Sequence, residues 1–175
     1  MIVQRVQFPP GSKPFMLRVS PDGREVWVQA TAANTNTILD ARTMVVKASV
    51  VDGISPVTNA WSPDGRYVLL THEGDSTLTI YSAKAERRRR HQGPAVVVRR
   101  LDLGADGANI AFTPDSRTAF VAVTGANSVA VIDLQALAVT SHIPVGKWPG
   151  GLIYFPPPRR RRTGSGRATP RAHSC

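Results

Sequence analysis

The chain has 175 residues, 42% of them hydrophobic and 19% charged, which is enough apolar material to close a core and too much for a disordered chain. A single cysteine, Cys175, excludes an internal disulfide framework and a cysteine-based metal cluster. The formal net charge of +10 sits in two short segments, four arginines at 87–90 and six between Arg159 and Arg171, so the rest of the chain is neutral.

The first ten residues, Met1 to Pro10, lack the basic region and apolar stretch of a signal peptide. They read as a short strand entering a Pro-Gly turn. No apolar run in the chain approaches the roughly 20 residues of a membrane helix. A loosely alternating strand follows over Phe15 to Val19, then the turn Ser20-Pro21-Asp22-Gly23, where Pro sets φ and Gly is free to take a positive φ. Glu25 to Gln29 alternates around Val26 and Val28. Thr31 to Asn34 is a polar loop, Thr37 to Leu39 a strand, and Met44 to Val51 the last strand of the unit.

The turn then recurs, as Ser62-Pro63-Asp64-Gly65-Arg66 and as Thr113-Pro114-Asp115-Ser116-Arg117, at Pro-to-Pro steps of 42 and 51 residues. Other marks keep register. Pro14 and Pro56 stand seven residues before the anchor proline, Asp40, Ser82 and Asp133 nineteen after it, and Gly53 and Gly146 thirty-two after it. The nine extra residues of the longer step fall around Ala85 to Pro94 and lengthen a loop without shifting a sheet. The third copy is the cleanest, with strands over Ala108 to Phe112, Thr118 to Val123, Ser128 to Ile132 and Ala138 to Val145. A fourth opens at Tyr154-Phe155-Pro156 and breaks into prolines and arginines. That break reads as a truncated or frame-shifted product, with a natural basic tail as the other reading. No segment has a helical period.

Four antiparallel strands per 42-residue unit make the blade of a β-propeller, an all-β fold. A β-sandwich is the rival, but a sandwich has no need to restate one turn at a fixed period. The expected organisation is a run of blades over 1–157, with repeats at about 12–53, 54–104 and 105–146 and a stub at 147–157, then a basic disordered tail at 158–175. Three blades leave two end faces that expect neighbours. Self-association or a protein partner is therefore expected.

Candidate sites are few. Asp22, Asp64 and Asp115 recur with the turn and are expected to bond its amides. His72, His91, His142 and His173 have no metal-ligand spacing. His72, after the second strand of copy two and beside Glu73 and Asp75, reads as an exposed loop histidine. Trp27, Trp61, Tyr67 and Phe120 read as packing between blades, and Trp148 as a loop residue between them. The arginine runs have no interleaved aromatics, so they imply salt-screened attraction and no specific nucleic-acid partner. There is no G-x-S-x-G elbow and no phosphate loop after a strand. These readings assign no catalytic, cofactor-binding or metal residue. They lead to the expectation of a non-enzymatic propeller presenting a protein- or ligand-binding surface.

The segments Phe112-Thr113-Pro114-Asp115, Ala119-Phe120-Val121-Ala122-Val123, Asn127-Ser128-Val129-Ala130-Val131-Ile132-Asp133 and Ile143-Pro144-Val145-Gly146-Lys147-Trp148-Pro149 resemble the YVTN-type β-propeller repeat. The likeness covers about residues 12 to 157. Copy two departs most, with Tyr81-Ser82 for Ile-Asp and Thr71-His72-Glu73-Gly74 for the Asn-containing loop. The resemblance implies a propeller that usually has seven or eight blades. Its relatives include surface-layer-like proteins and domains like the haem d1 part of cytochrome cd1 nitrite reductase. It also implies a second functional reading, part of a haem- or quinone-linked periplasmic oxidoreductase propeller, and a periplasmic or secreted location.

Overall fold

The structure is a computed structural model that describes residues 4–83 and 96–155. Within those residues the strands are β1 (Pro14–Val19), β2 (Glu25–Ala30), β3 (Thr35–Asp40), β4 (Val46–Val51), β5 (Pro56–Trp61), β6 (Tyr67–His72), β7 (Thr77–Ser82), β8 (Val96–Asp102), β9 (Gly107–Phe112), β10 (Thr118–Val123), β11 (Ser128–Asp133) and β12 (Ala138–Pro144). They form three four-stranded antiparallel sheets, β1-β2-β3-β4, β5-β6-β7-β8 and β9-β10-β11-β12. Successive sheets meet through their first strands, β1 against β5 and β5 against β9. The chain is thus an arc of three propeller blades with β1, β5 and β9 innermost.

Residues 4 to 9 form no strand, contrary to the expected strand before the Pro-Gly turn. The arginine run 87–90, the basic tail 158–175, His91, His173 and Cys175 lie outside the described residues.

The repeated sequence marks have repeated physical tasks. Ser20 Oγ accepts from the amides of Arg24 and Glu25 and donates to Asp22 Oδ1 at 2.7 Å. Ser62 and Thr113 donate to Asp64 and Asp115 in the same way, at 2.8 and 2.6 Å. Arg24, Arg66 and Arg117 each return a backbone N–H to that carboxylate. The register shifts once between the first two strands of each blade, and again between the last two, at Ile38/Leu39, Ile80/Tyr81 and Val131/Ile132. Such bulges raise the local twist.

Alternation along the strands gives each blade one face toward the preceding blade and one toward the following blade. Between the second and third blades the seam is aliphatic. Leu69, Leu78 and Ile80 pack there against Ile110, Ala119, Val121, Ala130 and Ile132. Between the first and second it is aromatic and polar. Trp27 meets Trp61 and Tyr81 edge-on, with centroids 5.5 and 5.6 Å apart, and Gln29, Asn36, Asn59 and Thr79 are buried around them.

The two end faces are partly covered. Val6 and Phe8 pack over Val26, Val28 and Leu39 of the first blade. On the third blade Tyr154 stacks on Phe120. Leu17 and Val19 of β1 stay 55% and 52% exposed.

Candidate functional site

The antiparallel strand order sorts the loops between two ends. One end carries the Ser-Pro-Asp-Gly turns. The other carries the loops from second to third strand (31–34, 73–76, 124–127) and the crossings from one blade to the next (52–55, 103–106, 145–149). These two loop sets are stitched together. Ser55 N donates to Asn34 Oδ1 at 2.8 Å, Ile54 N to Asp75 Oδ2 at 3.1 Å and Trp148 N to Asn127 Oδ1 at 3.0 Å.

Under the first crossing lies a buried ionisable cluster. Asp52, the residue after β4, is 1% exposed and enters the seam between the first and second blades. It accepts from Tyr81 Oη and from Arg100 of β8, and from Thr79 Oγ1 at 3.2 Å. His72 Nε2 lies 3.5 Å from Asp52 Oδ2, an ion-pair distance outside hydrogen-bond geometry. His72 Nδ1 is 3.1 Å from Thr77 Oγ1, which donates to Asp75 Oδ1 at 2.7 Å. The single hydroxyl proton of Thr77 goes to Asp75, so His72 Nδ1 donates to Thr77. The result is a carboxylate–imidazole–hydroxyl–carboxylate chain from the buried seam to the loop end.

Burial by itself would raise the Asp52 pKa. The approach of His72, the Tyr81 hydroxyl and the Arg100 guanidinium outweigh it and hold the carboxyl below its ordinary value. Burial first, and then Asp52, push the Tyr81 hydroxyl up, so it stays a donor. Gly53 makes the approach of His72 possible. Its φ is +61°, and a Cβ there would stand 2.3 Å from His72 Cδ2.

His72 is therefore not the exposed loop histidine that its neighbours suggested. Its side chain is fully buried, because Gly53 and Asp52 close over it. Asp52, Thr79, Tyr81 and Arg100 were missed. A signal for three members of the cluster was present in the repeat. Position 52 is Leu103 and Val145 in the other copies, position 72 is Ala30 and Val123, and position 81 is Leu39 and Ile132.

The opposite end holds a cleft between the first two blades, lined by Asp22, Arg24, Glu25, Lys47 and Trp61 among others. Glu25 is buried there, accepting from Trp27 Nε1 at 3.0 Å and paired with Lys47. Among the described residues no three His, Cys, Asp or Glu side chains group closely enough to hold a metal ion. Haem does not fit His72, whose two ring nitrogens face Thr77 and Asp52 and whose ring lies under Gly53. His142 Nδ1 faces Ser128 Oγ at 3.3 Å, away from that cluster.

No family model matches the sequence, and no curated protein matches it. Solved structures match the fold. Hydrazine synthase of Kuenenia stuttgartiensis superposes with a TM-score of 0.70 at 22% identity, over 87% of this chain and 41% of that one. The periplasmic gluconolactonase PpgL of Pseudomonas aeruginosa gives 0.70 at 20% identity, over 83% and 43%. The β-propeller domain of Cps50 from Myceliophteria thermophila gives 0.65 at 12% identity, over 77% and 44%. This chain spans less than half the length of each, and the likeness is one of fold.

Two expectations are corrected by these matches. The sequence suggested a non-enzymatic propeller presenting a binding surface, and no enzyme. The fold it adopts is shared with a synthase and a lactonase, so the propeller architecture gives no ground for the non-enzymatic reading. The missing motif was a poor guide, because loops of several blades supply a propeller site without fixed spacing.

Proposed function

We propose that the chain is part of an enzyme's propeller and that its reaction is carried at the end bearing the blade crossings. The observation behind this reading is the Asp52–His72–Thr77–Asp75 chain, set at repeat positions that are apolar elsewhere for three of its members. Ionisable groups coupled from a dry seam to a loop surface are what acid–base chemistry requires. In this reading Asp52 and Arg100 fix the imidazole, and Thr77 and Asp75 connect it to the loop end. The gluconolactonase match supports a small, oxygen-rich substrate such as a sugar lactone, and a periplasmic location.

The second reading is the oxidoreductase propeller that the YVTN-type resemblance implies, favoured by the hydrazine synthase match. His72, with both ring nitrogens occupied by neighbours under Gly53, does not fit a haem ligand.

The test is hydrolysis of gluconolactone by the 175-residue chain, beside a haem titration followed in the Soret band. Activity that falls about 100-fold or more in His72→Gln and Asp75→Asn, with folding retained, supports the acid–base reading. Tight one-to-one haem binding without hydrolysis overturns it. Full activity in both variants does so as well.

A further inference from the structure

We propose that the end faces of the arc are seats for a second copy of this chain, joined head to tail, with β1 of one copy on β9 and β10 of the other. The proposal rests on the propeller reading above and adds a contact between copies.

The repeat register identifies the contact. Residues facing the preceding blade recur as Val19, Trp61 and Phe112, and those facing the following blade as Trp27, Leu69 and Phe120. At the first seam Trp61 meets Trp27. At the second Phe112 and Leu69 join one core cluster. Val19 is left facing no blade on one end of the arc, and Phe120 faces none on the other. The two free faces are thus opposite halves of one contact that the molecule already makes twice. Their chemistry agrees, since Leu17 and Val19 on one side, beside Val26 and Val28 that lie under Val6 and Phe8, and Phe120, Val129 and Val131 on the other match the aliphatic second seam.

Tyr154 supplies the second observation. It stands 42 residues after Phe112, and its ring stacks on Phe120 at 6.1 Å and 11°. It therefore occupies on Phe120 the register that Val19 of an incoming copy would take. The segment Leu152–Tyr154 and the β1 of a second copy compete for one seat. Contacts of this heterologous kind close when the rotation allows and otherwise grow into filaments.

The experiment is sedimentation of the full chain at roughly 50 µM, where concentration-dependent association is readable. The expected species has twice the chain mass. Val19→Asp, at a site exposed in the single arc, is expected to weaken association about tenfold or more, and Tyr154→Ala to strengthen it about tenfold, by freeing the seat. In a Cys175→Ser background, Val19→Cys and Phe120→Cys chains are expected to link through a bis-maleimide only when mixed. A monomer at that concentration, linkage of Val19→Cys chains to one another, or no response to Tyr154→Ala overturns the proposal. Association is scored without activity, so an inactive dimer defeats only the enzymatic reading, and an active monomer defeats only this one.

Discussion

His72 stands between two carboxylates on different elements, with Nε2 3.5 Å from Asp52 Oδ2 and Nδ1 bonded at 3.1 Å to the Thr77 hydroxyl that reaches Asp75. It couples the crossing out of the first blade to the loop of the second. Removing Asp52 leaves Arg100, Tyr81 and Thr79 facing an empty acceptor position. Arg100 is half exposed and can turn to water, so Asp52→Ala is expected to cost about 2–3 kcal/mol, the scale for leaving the buried Tyr81 and Thr79 hydroxyls without their acceptor. Asp52→Asn, which keeps an acceptor oxygen, is expected to cost less. Urea titrations of both variants check the order.

Acid should act through the same carboxyl. The folded pKa of Asp52 lies below its unfolded value, which is about 3.9. Its contribution is complete above that value and is lost as pH falls through the folded pKa. Stability measured from pH 6 downward is expected to drop more steeply for the wild type than for Asp52→Asn. Parallel acid limbs would show that Asp52 is already protonated in the fold.

Two glycines with nearly equal φ separate backbone strain from crowding. Gly65, at +64°, has open space where a Cβ would stand, and Gly53, at +61°, has the His72 ring. Gly65→Ala is expected to cost about 1 kcal/mol from the positive φ alone. Gly53→Ala should cost a further 1–3 kcal/mol or so for overpacking. Thermal denaturation of the two variants is the check, and equal losses would mean that His72 moves aside freely.

The polar seam between the first two blades predicts a non-additive pair. Gln29 Nε2 donates to Asn36 Oδ1 at 3.0 Å, while Gln29 Oε1 and Asn36 Nδ2 find no partner. The aliphatic seam has Thr71 and Leu78 at these repeat positions. Asn36→Leu alone strands the Gln29 amide and should destabilise by about 1–3 kcal/mol. Gln29→Val with Asn36→Leu removes both partners and is expected to be neutral or stabilising. A double-mutant cycle in urea measures the coupling.

The arginine segments at 87–90 and 159–162 are expected to attract nucleic acid without reading it. Affinity for an oligonucleotide should fall steeply with salt and match that of scrambled controls. A tenfold preference for one sequence at about 0.15 M salt would reverse that expectation.

The blade architecture was legible in the sequence because its signals are local. Pro21, Pro63 and Pro114 bend the chain, Asp22, Asp64 and Asp115 bond the amides that follow them, and alternation around Val26 and Val28 marks a strand with two faces. Those interactions span a few residues, so spacing alone reveals them. Tyr154 announced a fourth repeat for the same reason. The cluster at Asp52 was not legible in that way, although its departures from the repeat were in plain view. Asp52, His72 and Arg100 lie far apart in the chain, and each alone reads as an ordinary loop or strand residue. Only the packing of one blade against the next brings them to one point, excludes water there, and makes their charges matter to one another. Tertiary structure likewise decided that Val6 and Phe8 would cover the first blade, and that Tyr154 would stack on Phe120 of the third.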